Sequence, residues 1–411
     1  MRITRLAAVL ACALCVPWRA LSADVQMTSS TQFLWYPDYL SDDADQRDIA
    51  QYLRLRASFG EDENVRVMGY GRIVGQTGTT VESRPELGDD LTGRLYYLFL
   101  DYRDAVPGHL DLRLGRGYVG TAAIPALVDG LQVRGRDLAW KGFGASAFGG
   151  RRVILENRGE TNDARDAIFG GSVFYETVKQ SYAELSYGRD YRRGDLARET
   201  AAIDVGSTPH RLVNVFGRAA YDVVSEERSE LSLGARVTPL ARLVLRGEYY
   251  DAMPTFERES FYSFFGVDRF RQLSFGAEYT LLAGLRLDAN YANEEFGGGA
   301  NADVFGVGAV ASPLRNLTVG AHYDMRTGFA GDLDGVRVNA SYRYRRATLF
   351  AGADYADFRR EESRDGDTRI YWAALAYELH ERVSASVRAQ RSENFLLDAG
   401  YQGFFSLDVN L

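Results

Sequence analysis

Along much of the chain, apolar and polar residues alternate one by one. Between Arg211 and Tyr221, the positions Val213, Val215, Gly217, Ala219 and Tyr221 share one parity, and Asn214 and Arg218 the other. The same alternation runs through Leu231–Val237, Leu243–Tyr249, Leu285–Tyr291, Leu317–Tyr323, Val336–Tyr344 and Val383–Ala389. Period two is the mark of a strand with one wet face and one apolar face, not of a helix. The apolar parity repeatedly closes on tyrosine, at Tyr221, Tyr249, Tyr279, Tyr291, Tyr323 and Tyr355. A ring that buries its face and keeps its hydroxyl wet suits a membrane interface. The other parity is too charged for a packed core. Apolar outside and polar inside is the pattern of a transmembrane barrel, whose strands need only ~9–11 residues each.

Short turns at Thr238–Leu240, Leu281–Gly284 and Ser312–Asn316 alternate with longer glycine-rich or acidic stretches. The long ones are Asp251–Arg269, Asn293–Asn301, Met325–Asp334 and Arg359–Asp367. Short connections are expected at the periplasmic rim and long ones outside. In the less regular N-terminal half, Gly117–Asp129 and Asn157–Asp166 read as excursions, one of which can fold into the lumen. Leu196–Val205 and Trp140–Phe148 are ambiguous as strands. The expected fold is all-β: a transmembrane, antiparallel, up-and-down β-barrel of about 18 strands, with 16–20 the range. A barrel of ~16–18 strands leaves an aqueous channel.

Composition narrows this picture. The chain has 411 residues, with 42 Gly, 25 Tyr and 22 Phe but only 9 Pro, which favours many strands joined by turns. Met1–Arg5 is basic, Leu6–Val16 is apolar and too short to span a bilayer, and Ala20-Leu21-Ser22 offers a small-x-small cleavage site. Residues 1–23 therefore read as a secretory signal peptide and 24–411 as the barrel. Both cysteines, Cys12 and Cys15, lie in that leader, so no disulfide or thiol chemistry is expected after cleavage. The net charge is −8 and the leader holds only bases, so the remainder is more acidic still. That argues against nucleic acid as a partner.

No cofactor or catalytic cluster emerges, and no enzyme activity is expected. Gly115-Arg116-Gly117-Tyr118-Val119-Gly120 matches G-x-G-x-x-G, but Pro125 follows where a dinucleotide site needs a helix. His109, His210, His322 and His380 are dispersed and form no metal motif. The acidic runs at Asp42, Asp43 and Asp45 and at Asp365 and Asp367 lack the full ligand spacing of a calcium loop.

Lumen charge is the informative set. Inward bases are expected at Arg113, Arg134, Arg136, Arg242, Arg246, Arg286, Arg337, Arg343, Arg345 and Arg388. Inward acids are expected at Asp111, Glu184, Glu248, Asp288, Asp324 and Asp354. They form a cross-strand salt-bridge lattice, a charge filter, or both. Arg113, Arg116, Arg134 and Arg136 flank the inward excursion and are the first candidates for a constriction.

Two segments carry a resemblance. Phe405-Ser406-Leu407-Asp408-Val409-Asn410-Leu411 alternates to its last residue, with Leu411 where an aromatic is usual. Leu112-Arg113-Leu114-Gly115-Arg116 is followed by Asp129-Gly130-Leu131-Gln132-Val133. In both, the chain resembles bacterial outer-membrane porin-like proteins. The resemblance implies an outer-membrane location and a lipid surround. It implies an assembly signal at Phe405, Leu407, Val409 and Leu411, read by the barrel assembly machinery. A water-filled pore would pass small hydrophilic solutes, anions among them, by diffusion. Two other roles stay open: a sheath around a lumen-filling partner such as a multihaem cytochrome, and a polysaccharide export channel. A homo-oligomer is also open.

Overall fold

The computed structural model describes residues 23–37, 45–60, 62–76, 91–156, 159–161, 163–176, 180–253, 269–359, 366–394 and 397–411. The expected signal peptide lies outside them apart from Ala23, which opens the first strand. The first strands are β1 (Ala23–Pro37), β2 (Asp45–Phe59), β3 (Val65–Gln76), β4 (Leu91–Val106), β5 (Leu110–Gly120), β6 (Pro125–Gly135) and β7 (Phe143–Glu156). Next come β8 (Gly159–Thr161), β9 (Ala167–Glu176), β10 (Tyr182–Arg192), β11 (Asp195–His210), β12 (Val213–Asp222), β13 (Glu227–Leu240) and β14 (Leu243–Ala252). The last are β15 (Phe270–Leu282), β16 (Leu285–Phe296), β17 (Ala300–Leu314), β18 (Leu317–Gly328), β19 (Asp332–Tyr344), β20 (Ala347–Arg359), β21 (Gly366–His380), β22 (Val383–Asn394) and β23 (Leu397–Asn410).

Every pairing is antiparallel, and each strand pairs with the next, except that β8 pairs with β7 alone and β7 continues to β9. β23 returns to β1, so 22 strands close the barrel among the described residues, not about 18. Leu196–Val205 lies within β11, and Trp140–Phe148 is strand from Phe143 on, in β7, after a turn over residues 140–142. Two expected loops are largely strand as well. β16 and β17 continue to Phe296 and from Ala300, and β18 and β19 leave only three residues between Gly328 and Asp332. The reason is that backbone pairing outlasts the apolar band. Tyr291 donates its hydroxyl to Asp303 on the next strand at 2.7 Å, and Tyr323 donates to Asp334 at 2.6 Å. These acids lie in the ladder, capped by the tyrosines the alternation singled out.

The outward parity is a continuous apolar surface. Leu185, Ile203, Val205, Leu233 and Phe275 are all exposed. A surface of this kind requires lipid around it. The buried apolar cluster sits inside the wall. Val119, Ala122, Ala123, Ile124, Ala126 and Val128 meet Phe148, Ile168, Ala202 and Ala220 there.

Candidate functional site

That cluster is built by the connection between β5 and β6. Gly120 pairs with Pro125, which leaves Thr121–Ile124 as the turn. All four residues are buried, Ile124 to 3% exposure. Thr121 closes the turn by accepting the Ile124 N–H at its hydroxyl, 3.3 Å away.

Instead of pointing out of the barrel, the turn crosses over the strands that follow it and rests on the inner faces of β10, β11 and β12. The Ala123 N–H donates to Ser186 Oγ at 2.9 Å and the Ala122 N–H to Glu184 Oε1 at 3.4 Å. Arg218 donates from Nη2 to the Ala122 carbonyl at 2.7 Å. The bed is made of small side chains: Ser186, Gly188, Ala202 and Ala220. A Cβ at Gly188 would stand 2.7 Å from Ile124 Cδ1. Of the two excursions read from the sequence, Gly117–Asp129 is the one that turns inward, although most of it is strand. Asn157–Asp166 contains the short strand β8.

The arginines separate into three groups. Arg113, Arg134 and Arg136 share one recess of 500 Å³ on β4–β6, together with Asp101, Asp104 and Asp111. Arg113 lies 3.4 Å from Asp101 with its guanidinium 4.4 Å from the Phe99 ring centre. Arg134 bonds Glu176 at 2.8 Å, and Arg136 bonds both Asp104 and Asp111 at 2.9 Å. The recess therefore realises the salt-bridge lattice.

Arg116 departs from the expected grouping. It pairs across the sheet with Leu98 and Asp129, on the parity of the exposed Leu114 and Leu131, and grips Asp129 through two bonds of 2.7 and 2.8 Å. Alternation puts it on the outer face because Leu112 and Leu114 precede it there.

The remaining candidates lie on β14, β16, β19 and β22 and in the turns just before β14 and just after β19. Arg337 meets Asp354 at 3.2 Å, Arg343 meets Glu378 at 3.2 Å, and Arg242 donates to the Leu281 carbonyl at 3.4 Å. Arg345 leaves the wall for the tight turn after Tyr344, with φ 55°. Arg388 stays in the lumen, 4.8 Å above Trp372. Arg246 and Arg286 have no acidic partner among the described residues. Arg246 stands directly opposite Arg236, a base the sequence reading passed over. Two unpaired bases on adjacent strands become visible only when the register is known.

His322 sits between two acids, 2.9 Å from Asp324 and 3.5 Å from Asp288. No group of three metal-ligating side chains occurs among the described residues.

The terminal strand closes the barrel. Leu411 donates its N–H to the Met27 carbonyl at 2.8 Å and accepts the Met27 N–H at 3.1 Å. Phe405, Leu407 and Val409 lie on one parity of β23, opposite Phe33, Thr31 and Ser29 of β1.

Among known proteins, the profile of the family described as Gram-negative porin matches residues 262–395, about a third of the chain. No curated protein sequence matches. Among solved structures, OpdQ of Pseudomonas aeruginosa is similar at 11% identity, over 95% of this chain and 99% of that one, with a TM-score of 0.49. A BenF-like porin from Pseudomonas fluorescens Pf-5 gives the same identity, coverage and score. OpdK of Pseudomonas aeruginosa, solved with vanillate, is similar at 10% identity, over 94% and 98%, with a TM-score of 0.47. The profile match, the lipid-facing surface and the closed 22-stranded wall together make this chain a porin-like β-barrel of the bacterial outer membrane, a channel for small solutes.

Proposed function

We propose that small hydrophilic solutes, anions among them, diffuse through the lumen, and that the wall around Arg236 and Arg246 sets the preference for negative charge. The observation that carries this reading is the opposition of these two arginines across β13 and β14 without an acidic partner among the described residues. Like charges facing each other across a ladder are destabilising. The pair is relieved whenever an anion sits between the two guanidiniums. Arg286 is a further base without an acidic partner among the described residues, on the lumenal parity of β16, separated from this pair by Glu278 and Asp288.

Arg113, Arg134, Arg136, Arg337 and Arg343 line the pore as members of ion pairs and contribute less net charge. The Thr121–Ile124 turn narrows the passage from one side. In the same reading, Phe405, Leu407, Val409 and Leu411 form the strand that the assembly machinery recognises.

The test is single-channel recording of the refolded protein in a planar bilayer under a salt gradient. Wild type is expected to show an anion-selective reversal potential. Arg236→Gln with Arg246→Gln should move that potential toward zero, and Arg113→Gln should move it less. A double variant with the wild-type potential defeats the filter. A folded barrel without conductance defeats the channel.

A further inference from the structure

A second lumenal feature lies outside this charge arrangement, on β2–β4. β3 and β4 are in simple register up to the pair Tyr70 and Tyr97, and the next pair is Gly71 with Leu95. The skipped residue is Tyr96. This β-bulge turns two successive tyrosines, Tyr96 and Tyr97, onto the inner face while Leu95 and Leu98 both point outward. Bulges re-aim side chains in this way and are common beside functional sites.

The rings gather around Tyr70. Tyr96 stacks on it with ring centres 4.8 Å apart, and Tyr52 stacks at 6.3 Å. Tyr97 meets Tyr70 at 5.7 Å and passes the contact to Phe99, also at 5.7 Å. The Arg54 guanidinium lies 5.1 Å above the Tyr70 ring and has no acidic partner among the described residues.

The hydroxyls are the notable part. Elsewhere in this protein the phenols of Tyr249, Tyr291 and Tyr323 bond an acid. The hydroxyls of Tyr52, Tyr70, Tyr96 and Tyr97 bond nothing among the described residues. Tyr52 and Tyr96 stack on Tyr70 and Tyr97 tilts against it, so the rings partly cover one another's faces and the hydroxyls are the polar groups they bring to the inner wall. A phenol both donates and accepts. A row of phenols therefore matches a solute whose own groups do both, which a carboxylate cannot. Barrel strands tilt by ~35–45°, so a row drawn across β2–β4 also advances along the pore. Several hydroxyls of one solute can then be engaged in sequence.

We propose that this tyrosine ridge is a binding strip for neutral saccharides, with Tyr52, Tyr70, Tyr96 and Tyr97 exchanging hydrogen bonds with sugar hydroxyls and Arg54 donating beside them. The proposal rests on the channel reading for its transport role but not for its binding.

The experiment uses the full refolded chain in a planar bilayer, with maltotriose as probe and polyethylene glycol of similar size as the non-binding control. Saturable reduction of the current by maltotriose, not matched by the glycol, is expected. Replacing all four residues, Tyr52→Phe, Tyr70→Phe, Tyr96→Phe and Tyr97→Phe, keeps the stacked rings and should weaken the block at least tenfold. A conducting wild type that maltotriose blocks no better than the glycol overturns the proposal and leaves the channel standing. So does a four-residue variant that is blocked as well as wild type. If the barrel does not conduct, calorimetric titration of the detergent-folded protein with maltotriose decides. Saturable binding lost in the phenylalanine variant supports the strip, and no binding overturns it.

Discussion

Arg218 donates to the Ala122 carbonyl oxygen at 2.7 Å, and this bond ties the turn between β5 and β6 to the inner face of β12. The same guanidinium stands 3.5 Å from Glu230, so one side chain links wall and turn. Removing it leaves a buried carbonyl without that partner, at a cost of about 1–3 kcal/mol. That cost falls on the turn and not on the strand ladder. Arg218→Ala is therefore expected to keep the barrel folded while raising the mean conductance and the open-state noise. Single-channel recording checks this, and a variant indistinguishable from wild type would mean that the turn does not restrict flow.

Gly115 offers a stability test. Its φ is +124°, and a Cβ built there would lie 2.5 Å from the Leu98 carbonyl oxygen and 2.9 Å from Phe99 Cα. Both neighbours are backbone in the adjacent strand and cannot rotate away. Strain of this kind costs about 1–3 kcal/mol. Gly115→Ala should lower the temperature at which the folded band on an unheated gel converts to the unfolded one. An unchanged transition would show that β4 and β5 adjust freely.

The alternation made the barrel legible from Val213 onward because neighbouring strands there have one clear apolar parity. The strand number was not legible, for two physical reasons. Acids such as Glu294 and Asp334 read as loop, yet their backbones pair; the Glu294 carboxylate accepts from Gln272 and Arg326, and that of Asp334 accepts the Tyr323 hydroxyl. Glycines also weaken a strand signal, while in the fold they make room for rings on the next strand. A Cβ on Gly170 would stand 2.9 Å from Phe148, and one on Gly352 2.6 Å from the Trp372 indole nitrogen. At the site, parity found Arg113 and Arg246 but could not show that the first is matched to Asp101 and the second faces Arg236. Those facts depend on register. Tyr96 was hidden altogether, because a bulge reverses parity without leaving a mark in the residue pattern.

Asp166 gives a pH dependence outside the spanning strands. Burial acts to raise its pKa, but its carboxylate accepts the Arg193 N–H at 2.9 Å and the Asp163 N–H at 3.0 Å. These bonds and the nearby Arg192 charge prevail and hold the carboxyl below the usual range. A carboxyl depressed in the fold stabilises it above its unfolded pKa of ~3.9 and loses that contribution as pH falls through the folded value. The tie between this loop and the β10–β11 turn should persist at pH 5 and loosen well below pH 4. The protection of the Arg193 amide, its exchange rate relative to the intrinsic rate at the same pH, should fall there, and Asp166→Asn should show weak protection already at neutral pH. Equal protection in the variant would remove Asp166 from this role.

The closure between β1 and β23 separates two functions of the last residues. The reciprocal bonds between Leu411 and Met27 are two among many along that seam. Each is worth about 0.5–1.5 kcal/mol net, so deleting Leu411 should only modestly lower the stability of protein refolded in detergent. Phe405 is different. Its ring is exposed on the lipid face, opposite Phe33. Phe405→Asp places a charge in that band, at a cost that reaches about 2–4 kcal/mol at mid-bilayer for a base and is smaller for an acid. If these residues are also the strand read during assembly, the loss in cells should exceed the loss in vitro. Deleting Leu411 should cut the amount in the outer membrane several-fold while refolding yield stays within a factor of two. Membrane levels that track refolding yield for both variants would reduce the last strand to a structural seam.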